Sequence, residues 1–117
     1  MSAETDLRAL LISTAGVTAL VGQRIAADRI EQGAARPFIV FTRTGTERER
    51  TLDGGVAATR VALLVQCWAD TRVQAEQVAD AVETALASVF QNTGDRSGTY
   101  EPDLDLEGAL IPVEWWE

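Results

Sequence analysis

The hydrophobic positions of this chain change period as it proceeds, and the changes mark its elements. In SAETDLRALLISTAG, Leu7, Leu10, Leu11 and Thr14 recur at helical spacing and predict a short amphipathic helix with Thr5 as N-cap and Gly16 as stop. VTALVGQRI predicts a second turn or two, with Val17, Leu20 and Val21 on one face and Gly22 ending it. AADRIEQGAAR has no clear period and reads as a loop reaching Pro37. From there PFIVFTRTGTERERT is first β-branched and aromatic, then polar, with Gly45 marking a bulge: a strand that becomes an arm.

Leu52-Asp53-Gly54-Gly55 supplies a turn. ATRVALLVQCWA then returns as a second strand whose Val61, Leu63, Val65 and Cys67 share one face, which completes a hairpin. Thr71-Arg72-Val73-Gln74 matches the capping-box pattern and opens the longest helix, about 18 residues or ~27 Å. Ala75, Val78, Ala79, Val82, Leu86, Val89 and Phe90 form its apolar stripe, while Arg72, Glu76, Asp80 and Glu83 occupy other positions. QNTGDRSG is a turn-rich connection. TYEPDLDLEGALIPVEWWE alternates polar and apolar residues and predicts two more strands, the last placing Pro112 at an edge or a bulge.

These elements predict a small α+β fold in a single domain, residues 1–117. Its parts are an antiparallel sheet of about four strands, one long helix packed on one face, short N-terminal helices and a protruding β-hairpin arm at about residues 43–60.

Composition narrows the function classes. All ten basic residues are Arg and there is no His, so Schiff-base lysine chemistry, the phosphate-loop lysine and the commonest general base are absent. The net charge of −8 is unevenly spread. Residues 1–60 carry seven acids against eight Arg, and residues 61–117 carry eleven against two. Such a chain is repelled by nucleic-acid phosphates, which disfavours sequence-reading DNA or RNA binding; a solvated acidic face that keeps the protein soluble is the plainer reading. The one cysteine cannot form an intramolecular disulfide, and a reduced folding compartment is allowed. The apolar runs fall far short of the roughly 20 residues of a membrane helix, and the acidic N-terminus is unlike a signal peptide. A soluble protein with no membrane association is expected.

Each candidate site has a plainer competitor. Asp103, Asp105 and Glu107 alternate, which would set three carboxylates on one side of a strand as for a hard cation, but the glycine-spaced calcium-loop pattern is missing and a solvent-facing edge suffices. Asp53-Gly54-Gly55 fits a hairpin turn better than a phosphate cradle. Cys67 has no His to activate it and reads as a core thiol. Of Trp115 and Trp116, a strand buries one and exposes the other. No catalytic, cofactor-binding or metal site is expected.

The arm is the feature with no intrachain explanation. Thirteen residues from Phe38 to Arg50 span roughly 43 Å at about 3.3 Å each, whereas a compact domain of this size is about 35 Å across. The distal end therefore overhangs. Alternation sends Glu47 and Glu49 to one face and Arg48 and Arg50 to the other, a ribbon suited to a head-to-tail contact with another subunit; a solvated hairpin tip is the alternative.

LRALL…LVGQRI, RPFIVFTRTGTERERTLDG and VQCWADTRVQAEQVADAVETAL, in that order over about residues 6 to 90, resemble the tail-completion, or tail-terminator, proteins of long-tailed (siphovirus-type) phages and prophages. The resemblance implies an α+β subunit of a hexameric ring, with itself, the tail tube protein and the head connector or stopper as partners. That ring caps the tail tube, terminates its polymerisation and joins tail to head, after assembly in the host cytoplasm and residence in the virion neck. It would make Arg43, Glu47, Arg48, Glu49, Arg50 and Asp53 a subunit or tube interface. Asp103, Asp105 and Glu107 would line an acidic lumen through which DNA passes without sequence-specific binding. A head-completion protein of the same neck and an unrelated non-enzymatic oligomeric adaptor are the alternative readings.

Overall fold

The computed structural model describes residues 2–30, 33–88 and 92–116. Two short helices, α1 (Ala3–Ser13) and α2 (Ala15–Val21), precede a short strand β1 (Ile25–Ala27), and the long hairpin follows as β2 (Phe38–Arg50) and β3 (Val56–Ala69). The long helix α3 (Arg72–Ala87) leads into β4 (Asn92–Thr93), β5 (Ser97–Glu101) and β6 (Leu106–Trp116). The strands form one sheet in the order β1-β2-β3-β6-β4, with β5 also paired to β6. Among the described residues no helix is long and apolar enough to cross a membrane.

The α+β architecture is the one expected, and four details differ. Ser2, not Thr5, caps α1: its hydroxyl accepts from the Thr5 backbone N–H at 3.2 Å, so Thr5 is the third residue beyond the cap. The helix stops at Thr14, whose extended backbone breaks it, and Gly16 lies inside α2. Residues 25–27, whose last two fall in the segment read as loop, pair in parallel with Ile39, Val40 and Phe41, which makes the sheet mixed. A three-residue strand shows no period of its own; only the neighbouring strand reveals it. The fourth detail is Pro112, which sits inside β6 and not at an edge. Backbone N and O of one strand residue point the same way, and the Pro112 carbonyl accepts from Gly94 N–H at 2.8 Å on the side away from β3. Its missing N–H therefore faces the break between β4 and β5, where no ladder bond is lost.

Register explains the core. Ile39, Cys67 and Ala109 lie side by side across β2, β3 and β6, as do Phe41, Val65 and Ile111, followed by Leu63 beside Val113 and Val61 beside Trp115. All are buried on one sheet face beneath Ala3, Leu7 and Leu11 of α1, Val17 and Val21 of α2, and Ala75, Val78, Ala79, Val82 and Leu86 of α3. Each fully buried Leu, Ile or Val contributes about 1.5–3 kcal/mol relative to exposure, so this helix-covered face dominates stability. The Thr71 hydroxyl accepts from Gln74 N–H at 3.1 Å, the cap expected for α3. Val89 and Phe90, placed on the same stripe, lie outside the described residues.

The opposite face is covered only at one end, where Phe38, Val40 and Leu106 pack with Ile30 and Trp68. On that face, at the arm end beside Arg60, Trp116 is 45% exposed, while Trp115 is 7% exposed toward the helices, the in-and-out pair that alternation predicts.

Candidate functional site

The hairpin leaves the body at Thr42. Phe38 to Phe41 are buried, Thr42 and Arg43 are half-buried, and all seven residues from Thr44 to Arg50 are exposed. The molecule is consequently elongated, 51 × 29 × 25 Å, with a radius of gyration of 14.9 Å against about 13 Å for a compact chain of this length. The arm remains an ordered ladder: Gly45 to Arg50 pair with Ala62 to Val56 of β3, with register shifts at Arg43/Gly45 and Glu49/Arg50.

The first shift decides which charge faces which way. Before it, the odd residues Ile39, Phe41 and Arg43 lie on the helix-covered face; after it, Thr46 pairs with Val61 and Arg48 with Thr59 on that same face. One extra residue at Thr44 thus turns Arg48 and Arg50 toward the helix side and Glu47 and Glu49 toward the open side. Without the bulge the two signs would exchange faces. Gly45 marks the shift, as expected.

Two charges on the β2 strand of the arm have partners in their own subunit, although the sequence offered the arm no intrachain explanation. Arg43 reaches Glu4 of α1 with Nη2 to Oε1 at 2.6 Å, and this guanidinium holds the Glu4 carboxyl below its ordinary range. Glu47 pairs with Arg60 directly across the ladder, and Arg60 also lies 3.7 Å from Glu114. Asp53 accepts from the Thr51 hydroxyl and from Gly55 N–H at 3.2 Å, which lowers its pKa and folds its carboxylate into the turn. Gly54 takes φ +91° there, a conformation that favours glycine. Arg48 and Glu49 stand in solvent with no ionic partner among the described residues. Arg50 donates to Gly54 O of its own turn at 3.4 Å, and Leu52 at the tip is entirely exposed.

The three C-terminal carboxylates do not share a strand face. Residues 102–105 form a tight turn between β5 and β6, with Asp105 at φ +51°, so the alternation of DLDLE is not strand alternation. Asp105 accepts from the Tyr100 hydroxyl at 2.8 Å, Asp103 is exposed in the turn, and Glu107, on β6, is held by Arg72 at 2.7 Å.

Two arginines that periodicity left as surface decoration, or did not single out, tie the body together. Arg72 donates to Gly108 O at 2.7 Å and Thr99 O at 3.0 Å besides Glu107. Arg96 gathers Glu76, Asp80 and Glu83 of α3 at 2.6, 2.8 and 2.8 Å, which drives its own pKa upward. The acids recur at helical spacing along one side of α3, a legible signal, but their partner lies in a loop that sequence could not place.

At the end of the body remote from the arm, Ile30, Phe38, Leu104 and Leu106 line an apolar hollow of about 490 Å³, which Glu101 and Trp68 extend. Leu104 is 57% exposed at its rim. Cys67 is fully buried, and desolvation pushes its thiol up to about 12, so it offers no nucleophile near neutral pH.

The family model described as Tail completion protein gp17 matches residues 5–117. Among solved structures, a chain of the "Virion of native gene transfer agent (GTA) particle" shares the fold with a TM-score of 0.74 at 14% identity, over 97% of this chain and 92% of that one. No curated protein matches.

Proposed function

The chain belongs to the family of tail completion protein gp17, and on that premise we propose that it forms a hexameric ring on the head-proximal end of a phage-type tail tube. The ring ends tube polymerisation and presents the docking surface for the head connector. Its role is structural, in the virion neck, after assembly in the host cytoplasm.

The observation that carries this reading is the arm. Seven consecutive exposed residues, Thr44 to Arg50, are held out as an ordered ladder that contributes nothing to the subunit's own core. A rigid polar ribbon of opposed acidic and basic faces is what a neighbouring subunit or the tube can grip. Arg48, Glu49 and Arg50 are the working contacts. Arg43 and Glu47, each paired internally, set the arm's root and orientation, and Asp53 shapes its turn. The net charge of −8 suits a lumen that DNA phosphates traverse without adhering. Because Glu107 is held by Arg72, the lumen would draw on the wider carboxylate surplus and not on a row formed with Asp103 and Asp105.

Native mass spectrometry and electron microscopy of the purified protein, alone and mixed with tail tubes or with heads, test the proposal. A ring seated on tube ends is expected. A protein that binds heads and ignores tubes is instead a head-completion protein, and one that stays monomeric or dimeric beside either partner is an adaptor. Intact rings from an Arg48→Glu/Arg50→Glu variant would rule out the arm as the clasp.

A further inference from the structure

The two ends of β2 carry complementary features that cannot meet within one chain. At the distal end Leu52 projects fully exposed, near Arg48 and Arg50 on one ribbon face, while the nearby Asp53 carboxylate is turned back onto Thr51 and Gly55. At the proximal end Phe38, Leu104, Leu106 and Ile30 form the apolar hollow. One carboxylate lines its extension, that of Glu101, whereas the Asp105 carboxylate is taken by the Tyr100 hydroxyl at 2.8 Å. Arg36, the cation in that lining, is already taken by Asp70 at 2.8 Å and Leu104 O at 3.1 Å. Twelve residue steps at about 3.3 Å separate Phe38 from Arg50, roughly 40 Å of stiff ladder, so no bending brings plug to hollow in the same subunit.

We infer that Leu52 of one copy seats in the Phe38/Leu104/Leu106 hollow of the next, with Arg48 and Arg50 directed toward Glu101 at its edge. The occupant is a second copy of this chain because both halves of the contact, an apolar plug flanked by cations and an apolar socket edged by the Glu101 carboxylate, are present once per subunit at opposite ends. Such a contact is heterologous: each subunit gives its arm to one neighbour and receives another's, which generates a ring when the rotation closes. Leucine burial supplies the anchor and the charges supply register and polarity. The inference rests on the ring reading above and assigns its subunit contact.

The test uses the full-length chain. Leu52→Asp and Leu104→Asp both alter side chains exposed in turns, so circular dichroism should show both variants folded. Sedimentation of each alone is expected to show loss of the assembly, with self-association weakened ~10-fold or more. Mixed one to one at high concentration, they should form a heterodimer through the single contact that remains intact between them. In parallel, a Leu52→Cys/Leu104→Cys chain, whose native Cys67 is buried, should give an oxidative ladder of cross-linked species on a denaturing gel, and either single cysteine should not. Wild-type rings that persist in both Asp variants and give no ladder overturn the plug while leaving the ring reading intact. A wild-type assembly that stops at a cross-linkable dimer, each arm in the other's hollow, keeps the plug and overturns the ring. A wild-type chain that stays monomeric even beside tail tubes, with no ladder, overturns both.

Discussion

Arg43 at the root of the hairpin and Glu4 in the first turn of α1 meet at 2.6 Å, joining residues 39 positions apart. Arg43 also donates to the Thr46 hydroxyl at 3.1 Å, just beyond the bulge. One guanidinium thus links the helix layer to the point where the strand reverses its faces.

Glu4→Gln should therefore cost the fold little at neutral pH, up to about 1 kcal/mol, since both side chains are about one-third exposed and screened. The Glu4 pKa is lowered from its ordinary 4.5 by Arg43. A lowered carboxyl contributes stability above its unfolded value and loses it as pH falls through the folded value. Urea denaturation of both proteins should show the wild-type advantage at pH 7 and its progressive loss as pH falls below 4.5 and through the lowered folded-state value.

Arg96 is the counter-ion of three carboxylates on α3, and its side chain is only 21% exposed. Arg96→Ala removes the charge-assisted bonds and leaves the three acids to repel one another, a loss of roughly 1–3 kcal/mol by thermal or chemical denaturation. Raised salt should recover part of the repulsive component. Arg96→Lys should fall between, because a point charge cannot reproduce the fork that reaches all three.

The glycines of the sheet should respond unequally. At Gly108 a Cβ would stand 2.7 Å from Trp68 Cζ3 and 2.9 Å from Thr99 Cγ2, so Gly108→Ala should destabilise by about 1–3 kcal/mol through overpacking. At Gly45 the nearest atom is Ala62 Cβ at 4.0 Å and φ is not positive, so Gly45→Ala should change stability by no more than about 0.5 kcal/mol. Equilibrium denaturation of the two variants distinguishes them. An equal cost would mean that the bulge needs glycine for a reason other than space.

Cys67 lies in the centre of the sheet with its thiol pushed up to about 12 by burial. A maleimide at pH 7.5 should leave the native protein unlabelled over hours and modify it stoichiometrically in urea. Fast native labelling would show that β3 opens locally at Cys67.

The long periodic elements were legible in the sequence because their signals are local. The 3.6-residue stripe of α3, the Thr71 cap, the alternation of Val61, Leu63, Val65 and Cys67, and the overhang of a thirteen-residue strand all follow from spacing and rise per residue. Other features depend on residues far apart in the chain. β1 exists only because Phe38 to Phe41 offer it an edge, Pro112 is tolerated inside the sheet only because β4 and β5 part opposite it, and DLDLE becomes a turn only where β5 must reverse into β6. By itself the sequence determined that a polar arm must leave the body, since its length and alternation are local arithmetic. Only the tertiary structure decided which way its charges face, because one unpaired residue at Thr44 exchanges every side chain beyond it. It also decided which charges Glu4 and Arg60 take up, because ion pairs between distant segments require the fold that brings them together.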